Sequence, residues 1–181
     1  MAERGPDNIV LVGMRASGKT SVGQRLAERC GCPFVDLDDE LAARAGRSAD
    51  AVLADEGEDA FRAREREVLR WAASLRGHVV ATGGGAVLAD EAFAALAAVS
   101  RVAYLDVTAE RLVDRCRARP RPPLTDAPLD EEVTRLHARR DPLYRAVAER
   151  VLPAGESTPD ELAAALTDWC AAVTPTGGAP S

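Results

Sequence analysis

Gly13 to Thr20 reads GMRASGKT, an instance of the pattern G-x-x-x-x-G-K-[ST]. Residues of these types at these spacings suit one task, holding a polyphosphate. The two glycines let the backbone curl so that successive N–H groups point inward at the anion. The lysine bridges the β- and γ-phosphates, and the hydroxyl after it is a ligand for the magnesium that travels with a nucleotide. Lys19 is also the only lysine of the chain, against 22 arginines. Codon bias explains the arginines but not the survival of this lysine. An ammonium on a thin stem reaches into a nest of amides that a planar guanidinium is too broad to enter. Binding of ATP or GTP is the strongest inference from any one motif, with Gly13, Ala16, Ser17, Gly18, Lys19, Thr20 and Ser21 as the cradle.

Further candidates follow other strand-like runs. Asp36 and Asp38, in VDLDDE, are two residues apart and project to the same side if the strand continues, one toward the magnesium and one toward a phosphate acceptor. The competing reading is an acidic helix start at Asp38-Asp39-Glu40. Gly83-Gly84-Gly85, after HVVAT, has no side chains and admits a ligand to the backbone. RARPRPPLTDAP, Arg117 to Pro128, is too rich in proline for regular structure; as a stiff loop bearing arginines it can close over a γ-phosphate and exclude water. Without a second lysine there is no N-K-x-D, which argues against guanine, and the acidic pair of motor ATPases is missing after HVVAT. His78 and His137 lie far from any G-x-S-x-G nucleophile, and the four cysteines lack C-x-x-C spacing, so neither hydrolase nor zinc chemistry is expected.

These residues need elements to hold them. NIVLV (8–12), PFVDL (33–37), HVVAT (78–82), RVAYLDV (101–107) and a last pair at 151–152 are short apolar strand candidates. Helical patterns separate them at 21–29, 39–45, from Ser48 to near Gly57, at 58–75, in an Ala-rich stretch to about Ala98, after Thr108, and at 129–150. Ser48 and Thr108 are N-cap residues, Gly46 is a stop, and Thr158-Pro159-Asp160-Glu161 is a capping box with proline at the first helical position. Strands apolar on both faces and separated by helices predict an α/β fold, a five-stranded parallel sheet flanked by helices on both faces. The 181 residues, 46% hydrophobic, suit one domain over 1–173 with a disordered tail at 174–181. A net charge of −6 and a pI near 5.0 argue against nucleic acid or an anionic membrane as partner and leave small molecules. The apolar run before Gly13 is too short for a secretion signal or a span, so a cytoplasmic protein is expected.

Six motifs in register resemble the shikimate kinase family. They are GMRASGKTSVG from Gly13, the D-L-D at Asp36 to Asp38, GRSADAVLADEGEDAFRARE from Gly46 to Glu65, the triple glycine, RPPLT from Arg121 to Thr125, and RRDPLYRAVA from Arg139 to Ala148. The resemblance covers about residues 8–152. It implies a P-loop fold like that of nucleoside-monophosphate kinases, with a substrate-binding segment at about 36–65 and a lid at about 117–128. It further implies a monomer that uses magnesium and transfers phosphate from ATP to the 3-hydroxyl of shikimate, a step toward chorismate and the aromatic amino acids. Under that resemblance Asp38 hydrogen-bonds the receiving hydroxyl, and Asp36, beside Thr20, holds a magnesium-bound water. Arg62 and Arg140 grip the substrate carboxylate, a use that suits planar guanidinium forks. Gly83, Gly84 and Gly85 border the substrate, with Gly84 as a backbone donor. Arg121 swings onto the nucleotide phosphates and completes a catalytic set with Lys19 and Asp38.

The sequence departs from the family pattern twice. Ala16 and Ser17 stand where glycine is common, and PAGES (153–157) lacks the arginine that some members set beside adenine, so adenine contacts there are expected from the backbone, with Arg115 or Arg117 as separate side-chain candidates. A gluconate kinase or nucleoside-monophosphate kinase shares the size and the phosphate loop, but does not combine the triple glycine with F-R and R-x-P-L-Y. A non-enzymatic, kinase-like regulator is expected to have lost Lys19, Asp38 or an anchor arginine, and all are present.

Overall fold

The computed structural model describes residues 8–120, 123, 125 and 127–171. Arg121 and the tail at 174–181, for which expectations were stated above, lie outside them. Strand β1 (Asn8–Val12) leads through the phosphate loop into helix α1 (Lys19–Cys30), and β2 (Phe34–Asp36) leads into α2 (Leu37–Ala45) and α3 (Ala49–Ala72). β3 (Val79–Ala81) precedes a 3-10 turn (Ala86–Leu88) and α4 (Asp90–Ala97); β4 (Ser100–Asp106) precedes α5 (Ala109–Ala118) and α6 (Leu129–Val147). β5 (Arg150–Pro153) and α7 (Pro159–Ala171) complete the described chain.

The five strands form one parallel sheet in the order β2-β3-β1-β4-β5. β1 is central, with Val10 opposite Val80 on one side and Val102 on the other. Val10, Leu11 and Val12, and likewise Val102, Ala103, Tyr104 and Leu105, are all buried in unbroken runs. Successive strand residues point to opposite faces, so such runs require helices over both. Each fully buried Val or Leu contributes on the order of 1.5–3 kcal/mol by leaving water. After β1 the chain crosses outward to β2, and after β3 it crosses to the opposite side for β4. That reversal opens a crevice beyond the C-terminal ends of the strands, where a ligand can meet several loops at once.

Local signals act as their chemistry requires. Ser48 Oγ accepts from Ala51 N at 3.1 Å and Thr108 Oγ1 from Arg111 N at 3.4 Å. The capping box closes both ways, Glu161 N donating to Thr158 Oγ1 at 3.2 Å and Thr158 N to Glu161 Oε2 at 2.7 Å. Gly46 ends α2 in the left-handed conformation.

Several boundaries differ from expectation. The patterns at 48–57 and 58–75 form one continuous run broken at Gly57, whose φ of 85° and ψ of 174° are not helical. The Ala-rich stretch first makes the 3-10 turn, and α4 begins only at Asp90. α5 runs to Ala118, into the start of the expected lid, where Arg117 is paired with Asp114 one turn back and with Asp130 at the head of α6. α6 stops at Val147 because the chain must become extended to enter β5, with Glu149 N already donating to Val102 O at 2.9 Å. Among the described residues, no helix is long and apolar enough to cross a membrane.

Candidate active site

The phosphate loop closes the top of β1. Gly18 takes φ 101° at the N-cap of α1, a left-handed turn that an L side chain resists, and it aims the first N–H groups of the helix into the loop. Lys19 is buried, and its Nζ donates to Gly13 O at 2.9 Å and Met14 O at 2.8 Å, so the ammonium sits inside the curl rather than in solvent. Ser17 is buried beside it, whereas Thr20 and Ser21 are exposed on the first turn of α1. Ala16 holds φ 63° without being glycine. A left-handed alanine costs about 1 kcal/mol, so the substitution is not free. Arg115 braces the loop from α5, donating to Ala16 O and Ser17 O at 3.3 Å and to Ala154 O and Gly155 O at 2.8 and 3.1 Å. It thereby joins the phosphate loop to PAGES, while Arg117 is turned to Asp130.

Asp36 and Asp38 do not share one side of a strand. β2 ends at Asp36, whose Oδ1 accepts from Asp38 N at 3.0 Å and caps α2, so Asp38 lies in the first turn of a helix. A short carboxylate before an acidic turn is a strong helix start, and here it overrides strand continuation. Asp36 Oδ2 accepts from Thr20 Oγ1 at 2.6 Å, which sets a hydroxyl and a carboxylate side by side at the mouth of the phosphate loop. Such hard oxygen donors fit magnesium, which is held by one or two carboxylates together with substrate phosphates.

Asp38 instead enters an open cleft that it lines with Arg15, Phe61, Arg62, Glu65, the triple glycine and Arg140. α2, α3, the β3 loop and α6 each contribute. The three glycines are needed for their missing side chains. A Cβ on Gly83 would stand 2.7 Å from Asp38 Oδ1, one on Gly84 would stand 3.1 Å from Arg15 N, and one on Gly85 would overlap the Arg62 guanidinium. Each glycine thus admits one functional group to the cleft wall.

Arg140 is 6% exposed, and its Nη1 donates to Gly84 O at 3.3 Å. Burial pulls its guanidinium below the ordinary value, and the like charge of Arg62 adds to that, opposed by Tyr144 and Glu65. Its Nε is buried without a hydrogen-bond partner among the described residues. A buried donor left unmade costs about 1–3 kcal/mol, so this guanidinium stands ready for an anion. Arg62 Nη1 donates to the buried Glu65 Oε2 at 2.7 Å.

Sequence reasoning missed the groups that aim these residues. Glu65 sits between the two arginines, Tyr144 donates to Gly84 O, and burial pushes the Tyr144 hydroxyl up to about 12 against the opposing Arg140 charge. Further along α6, Arg145 bridges Asp106 at 2.6 Å and Asp141 at 2.9 Å, and Tyr104 Oη donates to Asp141 at 2.8 Å. A ring nitrogen of His137 lies within 4.8 Å of carboxylate oxygens of both aspartates. Because Arg145 already supplies their cation, the cluster serves as a brace that fixes α6 to β4, with Arg140 one residue before it. No periodicity marks Glu65 or Tyr144 out from other helix residues; only their place within motifs of the cleft could have.

A parallel sheet of this order, with a phosphate loop after its central strand and an anion-ready cleft beside it, defines a P-loop kinase fold. A family model described as "Shikimate kinase" matches residues 15–171. A shikimate kinase of Symbiobacterium thermophilum is 47% identical over 146 residues, covering 78% of this chain and 83% of that protein. Shikimate kinase from Acinetobacter baumannii, solved in complex with shikimate, superposes with a TM-score of 0.87 at 33% identity, over 94% of this chain and 96% of that one. The chain belongs to the shikimate kinase family. A gluconokinase from Sinorhizobium meliloti, at 18% identity and a TM-score of 0.60, shares the fold alone.

Proposed function

We propose that this protein transfers the γ-phosphoryl group of ATP to the 3-hydroxyl of shikimate, releasing ADP and shikimate 3-phosphate. One observation carries the reading. Asp38, Arg62 and Arg140, from three separate helices, line a single cleft around the triple glycine, next to the phosphate loop. Shikimate is a small ring with one carboxylate and several hydroxyls. Arg62 and Arg140 suit the carboxylate as planar forks, and Asp38 suits the hydroxyl that attacks.

Phosphoryl transfer proceeds through a loose, highly charged transition state, so positioning and electrostatics do most of the work. The phosphate-loop amides and Lys19 hold the β- and γ-phosphates in line with the acceptor. Asp38 orients the hydroxyl and accepts its proton late in the transfer. Arg121 adds its positive charge to the nucleotide phosphates during transfer. Thr20 and Asp36 would hold magnesium, which when bound neutralises phosphate charge. Arg115, already spanning the phosphate loop and PAGES, is the arginine placed to border the adenine. The protein acts as a cytoplasmic monomer on small molecules.

A coupled assay offering ATP with shikimate, gluconate or CMP tests the substrate. Turnover is expected with shikimate alone; turnover with gluconate or CMP and none with shikimate overturns the reading.

A further inference from the structure

Consecutive glycines have the most conformational freedom to lose, yet one wall of the cleft is built from Gly83, Gly84 and Gly85. Their carbonyl oxygens show what holds that wall in place. Gly83 O accepts from Ala86 N at 3.2 Å and Gly85 O from Leu88 N at 2.9 Å, both donors belonging to the 3-10 turn that follows. Gly84 O is held from another element, α6, by Tyr144 Oη and by Arg140 Nη1, the latter at 3.3 Å. Arg140 is the residue read as gripping the substrate carboxylate. Tyr144 is the holder with no ligand to serve.

The same hydroxyl faces the phosphate loop. Tyr144 Oη lies 3.7 Å from Met14 Sδ. A Cβ on Gly84 would stand 3.1 Å from Arg15 N and 3.6 Å from Met14 C, so the glycine loop lies directly against the phosphate-loop backbone. A phenol has one proton to give; here Gly84 O takes it, and the sulfur is a soft packing partner. Tyr144 and Met14 are both buried, and the Tyr104 ring packs on Tyr144 with centroids 5.0 Å apart. Tyr104 is fixed in turn, its Oη donating to Asp141 at 2.8 Å. The Tyr144 hydroxyl is therefore pinned at the seam between two loops, one read as carrying the γ-phosphate and the other the acceptor.

We propose that Tyr144 is a positioning residue that holds the acceptor loop in register with the phosphate loop, and so sets the distance between the attacking oxygen and phosphorus. The inference rests on the reading of the cleft as the acceptor site and adds a role within it. Tyr144 acts through the two loops, so its contribution is to alignment and not to affinity. Transfer is steep in alignment, a misplacement of about 1 Å costing on the order of 100-fold. Binding is less exacting, because shikimate still meets Arg62 and Arg140 and the nucleotide still meets Lys19 and the loop amides.

The test is single-turnover phosphoryl transfer, with steady-state KM values measured alongside. Tyr144→Phe keeps the ring and its packing on Tyr104 but removes the hydroxyl. The transfer rate is expected to fall about tenfold, the scale of one buried hydrogen bond, while the KM values for shikimate and ATP each stay within about twofold. An unchanged rate overturns the proposal. So does a rise in the shikimate KM as large as the fall in rate, which would make Tyr144 part of the binding wall. Met14→Leu conserves volume and alters the same seam from the phosphate-loop side; a fall of about threefold is expected, with both KM values kept. Should Tyr144→Phe fail to fold, an unchanged rate in Met14→Leu overturns the proposal by itself. Failure of the acceptor reading looks different, since the wild-type protein then transfers no phosphate to shikimate.

Discussion

The two ends of the proposed site are built in opposite ways. The proposed nucleotide end is one continuous segment, Gly13 to Thr20, which offers mainly backbone N–H groups and whose shape is set by local φ angles and the head of α1. The acceptor end is assembled from side chains of α2, α3 and α6 around a glycine loop, and no two of Asp38, Arg62 and Arg140 are close in sequence. A backbone site is specified by a short motif and tolerates change in its x positions. A side-chain site depends on the packing of whole helices and on partners that hold each group. Substitutions at the two ends should therefore fail differently.

Lys19→Ala should be the most damaging change. It removes the only ammonium in the loop and leaves Gly13 O and Met14 O without their buried donor. Loss of a phosphate-stabilising cation of this kind is expected to lower kcat by about a thousandfold or more. The KM for shikimate should change little, and a comparable rise in it would mean that the two ends are not separable.

Asp38→Asn acts where the ends meet and should lower kcat by about 100-fold or more, because the amide cannot take the proton although it can still orient the hydroxyl. ATP affinity, measured by calorimetry, should be preserved. Retention of most activity would remove Asp38 from the mechanism.

Arg140→Ala belongs to the acceptor end alone. It should raise the KM for shikimate about 10- to 100-fold, the scale of a charge-assisted pair, with less effect on the KM for ATP. An effect confined to ATP would assign the residue to the other ligand.

The same contrast explains what could be read from the chain beforehand. A motif written in eight consecutive residues announces the nucleotide end, and the alternation of buried strands with capped helices announces the sheet. Asp36 and Asp38 admit two readings in sequence because a carboxylate can end a strand and cap a helix within three residues, and only the backbone geometry decides between them. Glu65 and Tyr144 carry no local signal. A polar residue on a helix reads as solvated face until the structure shows it buried, and their partners range from Arg62, on the same helix as Glu65, to Met14, far from Tyr144 in sequence.

The smallest effect tests the supports of the acceptor end rather than its ligands. Tyr144 is buried and donates to Gly84 O, so its neutral form is favoured in the folded state and its hydroxyl is pushed up to about 12. In the unfolded chain a tyrosine ionises near 10. Below that pH both states are protonated and the group adds no pH dependence. Between about pH 10 and 12 the unfolded chain releases a proton that the folded chain keeps, so stability falls as pH rises through that window, by on the order of 2 kcal/mol in all. Tyr104 is raised by burial and by Asp141, and it adds a loss of the same sign. Urea unfolding of wild type and Tyr144→Phe across pH 9 to 12 separates the two contributions. The variant should start less stable at pH 9, since it lacks the bond to Gly84, yet lose less on going to pH 12. Parallel pH profiles would show that the Tyr144 hydroxyl reaches solvent, and the floor of the acceptor cleft would then be wetter than its packing implies.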